Sequence, residues 1–260
     1  MLGQVSLQTA AWILIFQSVI FLVALFLKRN DVADVCWGAG FIMIAITLFL
    51  HYPITPPSGW IYALTTIWGG RLSIHLFMRN KNKQEDFRYR AWREEWGKDF
   101  IWRSYLQVFV LQGCFMWLIS FPLQVAAIDK QGTWNGWMVA GTLVWLIGFY
   151  FQSVGDAQLQ SFAAIKQPGE IIQTGLWKYS RHPNYFGEIC MWWGVGWIAL
   201  PLTGGWVALI GPLTITWLLA KVSGVPMLER KYKDNPAYQA YKKRTPALFP
   251  DFRSMMTGKK

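Results

Sequence analysis

The chain has 260 residues, of which 53% are hydrophobic and only 15% charged, and it carries 17 Trp and 17 Phe. Such a composition argues against an ordinary soluble domain and for a polytopic membrane protein. The formal charge of +11 invites a nucleic-acid reading, but its placement supports a different one, since basic residues gathered in alternate loops follow the positive-inside rule.

The clusters are Lys28 with Arg29; Arg79, Lys81, Lys83, Arg88, Arg90, Arg93, Lys98 and Arg103; Lys166, Lys178 and Arg181; and the segment after Lys221. Lys130 is the one basic residue in the opposite set of loops. Cys36, Cys114 and Cys190 each sit inside an apolar run with no CxxC or Cys/His spacing, so neither a disulfide framework nor a metal site is indicated. No basic residue precedes the first apolar segment, and that segment is read as a retained helix rather than a cleaved signal peptide.

Seven apolar segments reach the roughly 17 to 25 residues that a bilayer crossing needs. They cover residues 6–27, 32–52, 59–78, 104–125, 134–155, 184–201 and 203–224. The expected fold is all-α: one seven-helix transmembrane bundle forming a single membrane domain over 1–260, with the N-terminus outside and the C-terminus cytosolic. A charged loop, 79–103, and a tail, 225–260, then lie in the cytosol, where chemistry is expected.

The second segment opens with Asn30, Asp31 and Asp34. Asp31 suits an N-cap, whereas Asp34 lies a turn deeper, where an acid is expected to face a protein interior. The third segment carries Arg71, His75 and Arg79 at spacings of four, a polar stripe along one face. The loop NKNKQEDFRYRAWREEWGKDFIW mixes charges with aromatics, as an amphipathic segment along the inner leaflet would. Gln107 and Gln112 of the fourth segment are expected to join helices without taking part in chemistry. The fifth segment ends in Gln152 and Asp156, again four apart.

The chain is organised around GLWKYSRHPNYFGEICMWWG, residues 175–194. Lys178, Tyr179, Arg181, His182 and Asn184 lead through Pro183, which fits the first turn of a helix, into an apolar run bearing Glu188. Basic groups there could simply anchor the helix among headgroups, but an acid within an apolar helix needs a partner or a function. The tail from Glu229 to Pro250 sets Tyr232, Tyr238 and Tyr241 among Lys and Arg, which suits a short cytosolic helix or a headgroup-binding tail. If Arg71 with His75, Gln152 with Asp156, and Asn184 with Glu188 converge, they form a polar pocket opening to the cytosol. GxGxxG, P-loop, HExxH and GxSxG motifs are absent, so a nucleotide would be held by side chains, with arginines on its phosphates.

The run YSRHPNYFGE, followed by an aromatic-rich helix, resembles the membrane reductases of the steroid 5-alpha-reductase type, including their bacterial DUF1295-type relatives of uncharacterised substrate. A related RHPNY run occurs in sterol C14 and C7 reductases, and EDFRYRAWREEWG looks most like the bacterial relatives. The resemblance implies seven helices enclosing NADPH and hydride transfer to a carbon–carbon double bond conjugated to a carbonyl, in a steroid-like or enoyl lipid substrate. By position it assigns cofactor binding to Arg71, Arg79, Arg88, Tyr89, Gln152, Asp156, Tyr179, Arg181, His182, Asn184 and Glu188, and more loosely to Glu229 and Tyr232. The family polarises the substrate carbonyl with a glutamate and a tyrosine; the corresponding positions here fall at about Asp34 and Trp68. The acid is kept in type and the phenol is lost. Asp34, protonated by desolvation, or His75 is then the expected catalytic donor to the carbonyl oxygen.

Two rivals remain open. Isoprenylcysteine carboxyl methyltransferases and phospholipid methyltransferases, which bind S-adenosylmethionine, also carry an RHPxYxG run and a charged tail with Tyr. A transporter or lipid-binding protein would use intramembrane acids and cations equally well. The expected partners are a lipophilic small molecule and membrane lipid, with no nucleic acid; a monomer is compatible with the sequence, and the bacterial resemblance favours a bacterial inner membrane over the endoplasmic reticulum.

Overall fold

The computed structural model describes residues 1–81 and 83–257, with Phe87 and Lys231 described by backbone alone. Asn82 of the expected loop and residues 258–260 of the expected tail lie outside the described residues. Within them every regular element is helical, as the composition predicts.

Leu2–Leu27, Gly136–Ile165 and Gly205–Arg230 are each long and apolar enough to cross a membrane. A fourth span exists if Arg88–Ile119 and Phe121–Ile128, bent by 49° where they meet, are taken as one. This is an integral membrane protein. Trp37–His51 is apolar but has 15 residues, about 22 Å of helix against a hydrocarbon core of about 30 Å. Pro183–Ala199 has 17 residues, and Pro56–Asn80, although 25 residues long, is diluted by Arg71, His75 and Arg79.

The chain packs as two compact units, Met1–Met138 with Ile198–Gly211, and Val139–Trp197 with Pro212 onward. In the first, α1 (Leu2–Leu27) ends at Lys28, which adopts a left-handed conformation with φ 55° that few non-glycine residues take. The turn releases Asn30–Asp34 into α2 (Val32–Val35) before α3 (Trp37–His51) begins. Asp31 occupies the N-cap position of α2 without capping it. Its carboxylate is instead held by the Arg29 guanidinium through two bonds of 2.8 Å, a bidentate pair stronger than one bond to a backbone N–H.

Thr55 and Ser58 form a capping box at the start of α4 (Pro56–Asn80). α3 and α4 meet through glycines: a Cβ on Gly38 would lie 2.2 Å from Gly69 O, and one on Gly69 2.6 Å from Gly38 O. Phe41, fully buried, sits edge-on against Trp37 and Trp68 with both centroids at 5.4 Å.

The charged loop also carries buried aromatic residues. Asp86 caps α5 (Phe87–Trp96) by accepting from Arg88 N at 3.0 Å. Tyr89, Trp96 and Phe100 are buried in one cluster with Phe21 and Phe109. α6 (Phe100–Ser104) then passes through a π-helical turn, Tyr105–Val110, into α7 (Leu111–Ile119) and α8 (Phe121–Ile128). Pro122 at the second position of α8 removes a helical hydrogen bond, which accounts for the bend.

In the second unit, α9 (Gly136–Ile165), α10 (Pro183–Ala199) and α11 (Ile210–Trp217) supply the long elements. Asn135 caps α9 by accepting from Met138 N at 3.1 Å, and Pro183 opens α10. The tail forms α12 (Val225–Lys231), α13 (Pro236–Arg244) and α14 (Phe252–Thr257).

Candidate functional site

Glycine at every seventh position sets up the site in the second unit. Gly141, Gly148 and Gly155 of α9 face Gly194, Gly187 and Asn184 of α10, respectively. A Cβ on Gly187 would lie 2.4 Å from Gly148 O and from Gln152 N; one on Gly148 would lie 2.5 Å from Gly187 O; and one on Gly194 would lie 2.5 Å from Gly141 O. Such close backbones are the usual way membrane helices pack without a hydrophobic drive. They fix an antiparallel register in which position 152 meets 188 and position 156 meets 184.

Two polar rungs result. Asn184 Nδ2 donates to Asp156 Oδ1 at 3.0 Å, and Gln152 Nε2 donates to Glu188 Oε2 at 3.1 Å. Gln152 is 2% exposed, and Asp156 and Glu188 are each 8% exposed. Gln152 Oε1 is buried with no hydrogen-bond donor. An orphan acceptor of this kind costs about 1–3 kcal/mol.

The turn before α10 has a different use from the one the sequence suggests. Arg181 is committed to the tail: Nε reaches Glu229 Oε1 at 2.8 Å with Nη2 on the same oxygen, and Nη1 donates to Thr245 O and, at 3.3 Å, to Lys242 O. Lys242 Nζ closes on the other Glu229 oxygen at 2.6 Å. Four of the five guanidinium donors of Arg181 thus dock the tail, a role beside the cofactor contact expected of it. His182 stacks on Tyr185 and lies 3.6 Å from Glu229 Oε1. Burial depresses its pKa, with Arg181 adding to this; the neighbouring Glu229 opposes it but does not win. Tyr179, half-buried, accepts from Asp251 N at 3.0 Å through its carbonyl, and Tyr232 stacks on Tyr238 at 5.0 Å. Glu229 therefore ties the tail to the turn before α10, and Tyr232 packs within the tail.

In the first unit Asp34 is the focus. Tyr89 Oη donates to Oδ1 at 2.8 Å, Gln112 Nε2 to the same oxygen at 3.4 Å, and Arg88 Nη2 to Oδ2 at 2.8 Å. All three partners are donors, so Asp34 accepts from each of them. Arg88 also bonds Asp86 at 2.9 Å. Burial raises the Asp86 pKa, and the bonds from the Arg88 side chain and backbone outweigh it and hold the carboxyl below its ordinary value. Arg88 and Tyr89, expected on the cofactor, both bond Asp34. Arg71 and His75 are half-buried on one face of α4, while Arg79 is exposed and bonds Asn80 Oδ1 at 3.1 Å. Gln112, expected only to join helices, lies in the first turn after the π-helical segment. That segment changes the phase of the helix and carries no sequence signature. The seventh-position glycines, by contrast, were a readable signal for the α9–α10 seam.

Two buried polar rungs between glycine-packed helices of an all-helical chain define an integral membrane protein with polar groups inside its helix packing. The chain belongs to the DUF1295 family of proteins of unknown function, whose model matches residues 20–245. No curated protein matches it.

Proposed function

We propose that this protein is an NADPH-dependent reductase that adds a hydride to an activated carbon–carbon double bond of a lipophilic, carbonyl-conjugated substrate. The observation that carries the reading is the pair of buried rungs, Gln152–Glu188 and Asp156–Asn184, with an orphan acceptor among them. Acceptor-rich, uncharged-ligand chemistry of this kind fits the carboxamide and ribose hydroxyls of a pyridine dinucleotide, and the rungs would hold that part. Bound there, the cofactor supplies the hydride. Asp34, oriented by Tyr89, Arg88 and Gln112, and His75 are the residues assigned to the substrate. With Asp34 set as an acceptor, His75 takes the part of donor to the carbonyl oxygen. Replacing Asp34 by Asn should slow turnover at least tenfold with NADPH affinity within about twofold, since one lost charge-assisted bond is worth roughly 1.5–3 kcal/mol. Steady-state kinetics with a separate binding titration checks this.

The same reading takes the shorter helices as spans, giving seven crossings with the N-terminus outside and the C-terminus in the cytosol, in a bacterial inner membrane. Alternating basic loops support it. A second reading is favoured by one feature: two buried carboxylates, Asp156 and Glu188, suit a cationic ligand such as the sulfonium of S-adenosylmethionine. Thermal stabilisation of the purified protein by each cofactor separates the two, because a ligand at a hundred times its Kd stabilises by about 2.7 kcal/mol. Stabilisation by NADPH alone is expected; stabilisation by S-adenosylmethionine alone would replace the reductase with a methyltransferase.

A further inference from the structure

We infer that Gln152 reads a ligand edge carrying an N–H donor and an acceptor side by side, and that Glu188 sets the amide so that it can. The inference rests on the NADPH reading and deepens it. A carboxylate only accepts, so its bond at 3.1 Å fixes which end of the Gln152 amide faces Glu188. The nitrogen is turned towards the acid and Oε1 away from it. One amide hydrogen and the whole of Oε1 remain, at a residue 2% exposed, with Oε1 meeting no donor.

A hydroxyl would satisfy one of these two functions. A primary carboxamide satisfies both, by pairing edge to edge with the Gln152 amide. The N6/N7 edge of adenine does so as well, which is why glutamine is the usual bidentate partner of that base. Both groups occur in NADPH, and the shared chemistry is a planar donor–acceptor edge.

The test compares binding of three reduced dinucleotides by fluorescence or thermal titration. They are NADPH, its 3-acetylpyridine analogue, in which a methyl replaces the carboxamide nitrogen, and its hypoxanthine analogue, in which an oxygen replaces the adenine amino group. The wild-type protein should bind one analogue at least tenfold more weakly than NADPH, the penalty for leaving a buried acceptor unpaired. The analogue affected says which end of the cofactor meets Gln152. Gln152→Met, close in volume, should bind NADPH more weakly by a similar factor and treat that analogue and NADPH alike. Glu188→Gln removes the constraint on the amide's orientation and should reduce the discrimination while the cofactor still binds. Equal binding of all three dinucleotides to the wild type, or discrimination unchanged in both variants, overturns the inference and leaves the reductase reading in place. No NADPH binding to the wild type overturns both.

Discussion

A guanidinium carries five N–H donors, and Arg181 directs its own at Glu229 and at the carbonyls of Lys242 and Thr245, while its backbone N–H takes Pro246 O at 2.9 Å. The Arg181 and Glu229 side chains are 7% and 10% exposed. Breaking such a pair by removing one partner costs about 3–5 kcal/mol, and Lys242, still on Glu229, holds the loss towards the lower figure. Arg181→Met should therefore destabilise the protein by about 3 kcal/mol with little change in cofactor affinity per folded molecule. Arg181→Lys should recover only part, because an ammonium cannot reproduce the fork. Denaturation in detergent with a parallel NADPH titration reads both; lost affinity at full stability would return Arg181 to the cofactor.

His182 shares this environment. With its pKa held below the ordinary 6.5 by burial, the folded protein binds fewer protons than the unfolded chain between the two values. Stability from this source is complete above about pH 6.5 and is lost as pH falls through the folded value. The midpoint of unfolding should thus drop between pH 7.5 and 5, and His182→Gln should flatten the drop. Asp86, held low by Arg88, adds a separate loss at more acid pH.

Among the helices, backbone proximity decides which substitutions matter. Gly187→Ala places a methyl 2.4 Å from two backbone atoms of α9, and backbone cannot swing aside as a side chain does. Separation of α9 from α10 would stretch both polar rungs, so a loss at the upper end of the roughly 1–3 kcal/mol typical of overpacking is expected, together with weaker cofactor binding. Gly70→Ala meets nothing within 4 Å and should stabilise α4 by up to about 1 kcal/mol. Thermal melts of the two variants, moving in opposite directions, check the seam. At this scale much was legible. The four-residue spacing of Gln152 with Asp156 and of Asn184 with Glu188 follows from helical period alone, and the structure pairs all four. The docking of Arg181 on Glu229 was not legible, because that partner lies in a tail whose position no local pattern reveals. The bonds from Arg88 and Tyr89 to Asp34 were not legible for a similar reason: their partner lies far away in the chain, and no local pattern pairs the two segments.

For the molecule as a whole, charge placement is the strongest determinant left to test, because hydropathy and length carry three or four spans while the loops alternate in charge over the entire chain. Each basic residue near an anionic cytoplasmic leaflet contributes about 1 kcal/mol. The loop at 79–103 alone holds eight from Arg79 to Arg103, whereas Lys130 stands alone between α8 and α9. Those two segments should therefore lie on opposite sides of the membrane, as should Lys130 and the tail beyond α13. Single cysteines placed at Glu94, Lys130 and Gln239, in a background lacking Cys36, Cys114 and Cys190, would report this through a membrane-impermeant thiol reagent on intact cells. Labelling is expected at position 130 alone, with positions 94 and 239 reacting after lysis. Labelling of all three positions from one side would exclude the odd number of crossings expected between position 130 and each of the other two, and with it the seven-span arrangement that the proposed cytosolic entry of the cofactor requires.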